Sequence, residues 1–153
     1  MAYPLINGAP INGTDSTASW SVGNIVETGT AASALRATAA DLAEMEAALI
    51  DMAGQYEDKQ RFNLADIRFH KALNASAHNY VIKQLGEAIG ALQQVVFDAT
   101  YLQDDAVKEI TIKQHRELFD AVRMKNPRVA KKISASMIEG VVERLADKRQ
   151  GEK

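Results

Sequence analysis

From Ile25 onward, apolar residues return at intervals of three and four, the spacing that lines one face of a helix, and proline occurs only once. The pattern predicts a series of amphipathic helices. A first short helix spans Val26 to Leu35, weakened by Gly29 and Thr30. Thr38 with Asp41 three residues on reads as the capped start of a second, whose buried stripe is Leu42, Met45, Leu49 and Met52 and whose end is Gly54. A third runs from about Asp58 to Ala75. Asn79 caps a fourth, with a stripe of Ile82, Leu85, Ile89, Leu92 and Val96 continuing to about Tyr101. Gly86 and Gly90 on it mark either a shallow groove or two tolerated glycines. A fifth helix begins at Asp104 or Asp105, acids suited to the positive end of its dipole, and continues to Met124. Asn126-Pro127 then caps and starts a sixth, with Ile133, Met137, Val141 and Leu145 facing inward. No internal repeat or heptad run is present, so the expected fold is an all-α antiparallel helical bundle of about six helices over residues 25–149.

Residues 1–24 have a different character. Pro4, Pro10, Gly8 and Gly13 stand among Asn, Ser and Thr, which suits turns and an irregular N-terminal arm or linker. Tyr3, Leu5, Ile6, Ile11 and Trp20 are too apolar for a purely solvated tail, so part of the arm is expected to lie on the domain or on a partner chain.

The whole chain of 153 residues is the right size for one domain with a sizeable core, and 46% hydrophobic with 25% charged residues is an ordinary soluble balance. Eighteen Lys and Arg against twenty Asp and Glu leave a net charge of −2, so no global positive field draws the chain to a phosphate backbone. The absence of cysteine removes disulfides, thiolate metal sites and cysteine nucleophiles, and fits a reducing compartment. No apolar run reaches the roughly 20 residues of a membrane span, and the N-terminus lacks the basic start and apolar core of a signal peptide. A cytoplasmic location without membrane contact is the expectation.

The informative positions are polar residues on apolar faces. On the third helix Phe62, Ala65, Phe69 and Leu73 mark the buried side, and Asp66 and His70 lie one position round from Ala65 and Phe69. On the fifth, His115 stands among Ile112, Leu118, Phe119 and Val122, where the pattern expects Leu or Met. A buried carboxylate is expensive unless paired, hydrogen-bonded or bound to a cation. One carboxylate and two imidazoles offer the O and N donors that hold a divalent ion such as Zn, Ni, Mn or Fe. The same residues also suit a plain buried hydrogen-bond network, so both readings stand at this point. His78 precedes the Asn79 cap and reads as exposed in a turn. Lys125, Arg128, Lys131 and Lys132 read as a solvated face, since acids follow on the same helix and no aromatic interleaves. No serine sits in a nucleophile elbow and no phosphate loop appears, so no catalytic triad is expected.

Asp66-x-x-Phe69-His70 with Leu73 and Asn79, then His115 with Leu118 and Ala121, then Ala130, together with Arg36-Ala37-Thr38-x-x-Asp41-Leu42, resembles the C-terminal effector-binding domain (FCD domain) of the FadR branch of GntR-type bacterial transcription regulators. The likeness covers roughly residues 26–146. It implies an all-helical, usually dimeric domain that binds a small organic acid, in many members beside a divalent metal held by one Asp and three His. On that likeness Asp66, His70 and His115 match three metal ligands, and Met137 stands where a fourth histidine is expected. A thioether is a weak ligand for cations that prefer Asp and His, which leaves three possibilities: a metal on three ligands with water or effector completing it, a weakened site, or a metal-free cavity. The first is carried forward. Spacing fixes no pocket arginine; Arg36, Arg68 and Arg116 are the candidates, with Met137, for effector contact. Family members also carry a winged helix-turn-helix of about seventy residues ahead of this domain. The 24 or so residues before the first helix are too few to form one, so the chain is expected to be a truncated form, a fragment or a stand-alone sensor domain, with no specific operator binding in this form. Two other readings accompany the sensor: a stand-alone metal-dependent enzyme, for which Glu87, Glu109 and Glu117 are poorly placed as bases, and a metal-free scaffold.

Overall fold

The computed structural model describes residues 5–6, 9–10, 22–100 and 105–151, with side chains over 26–91 and 105–144. A two-residue antiparallel pairing joins β1 (Leu5–Ile6) to β2 (Ala9–Pro10). The remaining elements described are helices: α1 (Val22–Arg36), α2 (Ala39–Gly54), α3 (Lys59–Ala75), α4 (Tyr80–Thr100), α5 (Asp105–Arg123) and α6 (Pro127–Gly151). None is long and apolar enough to cross a membrane. The fold is an all-α bundle, as the spacing predicts.

Local capping chemistry sets most of the boundaries. Thr38 accepts from the backbone N–H of Asp41 while the Asp41 carboxylate accepts from the N–H of Thr38, a reciprocal box that starts α2. Asp58 caps α3 by accepting from Arg61, and Asn79 caps α4 by accepting from Val81 and Ile82. Asn126 accepts from Val129, and Pro127 fills the first turn of α6, where no N–H is needed. The end of α5 is a Schellman turn: Asn126 N–H donates to Ala121 O and Lys125 N–H to Val122 O, with Lys125 in the left-handed region at φ 53°.

α2 is the platform of the bundle. Its buried Met45, Ala48, Leu49 and Met52 meet Phe62, Ala65, Phe69 and Leu73 of α3 and Leu118, Phe119 and Val122 of α5 in one core. Asp41 reaches His78 at one end of the α2–α3 pair and Asp51 reaches Arg68 further along, so these two helices run antiparallel. α1 and α6 pack together across the bundle, where the hydroxyls of Thr30 and Ser134 lie 3.2 Å apart.

Three expectations need correction. α1 starts at Val22 rather than Val26, and its two weak residues have packing uses: the Thr30 hydroxyl bonds Val26 O, while a Cβ on Gly29 would press on Ile82. Gly86 leaves no open groove, because the Asn74 side chain fills the space its Cβ would take, although Gly90 does border a cleft. On α4, Ile82 and Ile89 are half-buried but Leu85 is 38% exposed, so the inward stripe is narrower than the spacing suggests. Leu92, Val96 and Leu145 lie outside the described side chains, and Tyr3, Ile11 and Trp20 lie outside the described residues.

Candidate functional site

Packing on α2 brings α3 and α5 to opposite sides of one buried point. Asp66 is 1% exposed and His115 is 2% exposed, while His70 is half-buried on the same face of α3 as Asp66. Asp66 Oδ1 lies 2.9 Å from His115 Nε2 and 3.2 Å from His70 Nε2, and the two Nε2 atoms are 3.0 Å apart. The edge of Phe69 closes the apolar side, its ring 4.9 Å from His115 and 5.7 Å from His70.

Hydrogen-bond chemistry decides what this triangle can hold. His115 Nδ1 lies 2.7 Å from Thr111 O, and a carbonyl only accepts, so Nδ1 carries the hydrogen. In neutral His115 the Nε2 lone pair then points at a carboxylate oxygen and at the other imidazole. Two acceptors at 2.9 Å repel unless something positive lies between them, either a second proton on the ring or a cation. A six-coordinate ion held at about 2.1 Å places neighbouring ligand atoms about 3.0 Å apart, which the triangle matches. One carboxylate oxygen and two imidazole nitrogens are also the donor set that borderline divalent ions prefer. The residues therefore fit a divalent metal.

Burial would by itself raise the Asp66 carboxyl, but the charges and hydrogen bonds of His115 and His70 outweigh it and hold it well below the usual carboxylate range. Asp66 thus stays ionised in the interior, its charge answered by the two imidazoles beside it.

Lys108 sets the height of α5 against this point. It is buried, donates to Tyr56 O and the Asp105 carboxylate, and lies over the Tyr56 ring, while the Tyr56 hydroxyl donates to Asp105 O. The first turn of α5 is so tied to the α2–α3 loop. Sequence reasoning missed this lock and the Thr111 contact, since the latter uses a backbone carbonyl that any residue would supply. It also missed Asn63, buried on α3 with an Oδ1 that has no hydrogen-bond partner among the described residues. A polar residue in helical phase with His70 was the available signal.

The other candidates make different contacts. Arg36 donates to Ala77 O, Arg68 pairs with Asp51 and Glu44 on the surface, and Arg116 is exposed. Met137 is half-buried and packs on the hydrophobic core. His78 is exposed as expected but not idle: it sits at φ 48° and its Nε2 lies 2.8 Å from Asp41. With Arg36 on Ala77, this explains the Arg36, Thr38 and Asp41 pattern as the grip of the α1–α2 joint on the α3–α4 turn. A cleft of about 570 Å³ beside Ile67, Lys71 and Gly90, and another of about 710 Å³ beside Gln114, Met124 and Ile133, are lined by residues other than the three.

Residues 24–140 match the FCD domain. The chain belongs to the FCD family. It is 41% identical over 127 residues to the galactonate operon transcriptional repressor of Escherichia coli (strain K12), a match covering 82% of this chain and 56% of the repressor. The FCD chain thus spans a little over half the length of that relative. The family match over residues 24–140 includes α3, which carries Asp66 and His70, and α5, which carries His115.

Proposed function

We propose that this FCD domain is the effector-sensing part of a metabolite-responsive transcription regulator, binding a small hydroxylated organic acid beside a divalent metal. The observation that carries this is the convergence of Asp66 Oδ1, His70 Nε2 and His115 Nε2 with the Nδ1–H of His115 committed to Thr111 O. Asp66, His70 and His115 would hold the ion. When bound, the metal supplies positive charge and open coordination positions to which a carboxylate and a neighbouring hydroxyl can bind. Thr111 orients the His115 ring, Phe69 keeps water from one side, and Lys108 fixes the level of α5. The relative is named for the galactonate operon, which makes sugar acids the first class to test. Homodimerisation, and DNA contact through a winged helix-turn-helix joined to this domain, complete the proposal for the whole regulator. Ligand binding would bias that assembly only through unequal affinity for its two arrangements.

The test is metal analysis of purified protein with thermal unfolding in the presence of sugar acids, with and without zinc. Stoichiometric metal, lost in the shape-conserving variant Asp66→Asn, and a melting temperature raised by acid only when metal is present are expected. Unchanged melting with every acid and metal would sink the sensor reading, and turnover of the acid would replace it with the enzyme reading.

A further inference from the structure

Asn63 lies three residues before Asp66 and seven before His70, and seven residues bring a helix to within about 20° of two full turns. It therefore faces almost the same way as His70. At a rise of about 1.5 Å per residue it stands about 4.5 Å along the α3 axis from Asp66 and about 10 Å from His70. It is 4% exposed, and its Oδ1 has no hydrogen-bond partner among the described residues.

That orphan is costly. Most buried side-chain polar atoms are paired, and leaving one unmade forfeits the hydration it had in the unfolded chain. Other polar groups inside this bundle follow the rule: Ser33 and Ser76 donate to Leu73 O, Thr111 to Val107 O, and Lys108 to Tyr56 O. The Asn63 amide carries an acceptor and a donor side by side, the combination that suits a hydroxyl, which both donates and accepts.

We infer that Asn63 is a specificity-determining contact, reading a hydroxyl on the carbon chain of an acid whose carboxylate is neutralised at Asp66, His70 and His115. This rests on the sensor reading proposed above. An extended sugar acid anchored by its carboxyl end and lying along α3 brings a distal hydroxyl to the level of Asn63. A site that pairs a substrate hydroxyl discriminates against the analogue lacking it far more sharply than an apolar wall does, because the analogue leaves the buried amide unpaired.

Asn63→Leu, close in volume, removes the amide and its orphan oxygen together. Zinc-loaded wild type and variant are titrated calorimetrically with galactonate and with hexanoate, acids of equal chain length with and without hydroxyls, and zinc content and metal-free melting temperature are measured on both. The variant should retain zinc, melt at or above the wild-type temperature, and bind galactonate at least tenfold more weakly with hexanoate unchanged. Equal galactonate binding by both proteins overturns the role of Asn63 and leaves the sensor reading standing. A sharp fall in melting temperature with loss of zinc also overturns it, making Asn63 a structural group. Wild type that binds neither acid overturns this inference, and the sensor reading then stands or falls on the wider screen of acids and metals. Should the leucine variant fail to fold, Asn63→Ser takes its place: weaker galactonate with unchanged hexanoate supports the assignment, and unchanged galactonate overturns it.

Discussion

Lys125 shows how a single backbone position can work against its own residue. The Schellman turn that ends α5 needs a left-handed residue at this point, and Lys125 adopts φ 53° to supply it while its side chain is exposed. A Cβ in that region costs roughly 1 kcal/mol that glycine avoids, partly offset by the extra freedom glycine has when unfolded. Lys125→Gly should therefore raise stability by about 0.5–1 kcal/mol, read as a higher urea midpoint at unchanged slope. His78 has the same backbone geometry without the same remedy, because glycine there would release Asp41.

Among elements, the α1–α2 joint is where acidity should be felt. Burial would raise the Asp41 carboxyl, but the Thr38 backbone and hydroxyl and the nearby His78 outweigh it and lower its pKa. A group whose pKa is lower in the folded protein stabilises it above the unfolded carboxylate value of about 3.9, and that stabilisation is lost as pH falls through the folded value. The wild-type melting temperature should then fall on acidification below about pH 4. In Asp41→Asn the fall over that window should be shallower, the remainder being due to groups such as Asp66 that titrate with the same sign. An identical slope in both proteins would remove Asp41 from the account.

At the scale of the molecule, what the sequence revealed depended on range. Thr38, Asn79 and Asn126 could be read as caps because the atoms they satisfy lie within three residues of them. The inward faces of α2, α3 and α5 were legible because periodicity records burial directly, and the inward aim of Asp66 and His115 came with them. Leu85 misled because periodicity marks a face without saying whether another helix covers it. Asp41 with His78 and Lys108 with Tyr56 were invisible, being pairings across tertiary space that leave no local pattern. Arg36 was legible as a residue of interest but not as a donor to the Ala77 carbonyl, since a side chain that serves a distant backbone atom resembles one reserved for a ligand.

Asp66 and His115 lie 49 residues apart along the chain, and the excursion between them contains all of α4, the helix whose Tyr80, Val81 and Leu85 remain exposed. Any ion gripped at the neck of that excursion acts as a removable cross-link, restricting the loop in the way a disulfide would but reversibly. Chelating it should therefore quicken amide hydrogen exchange in α4 more than in α2, which is anchored by the core on its own account. Through this tether, occupancy of a point buried between α3 and α5 would govern how tightly a helix on the outside of the bundle is held.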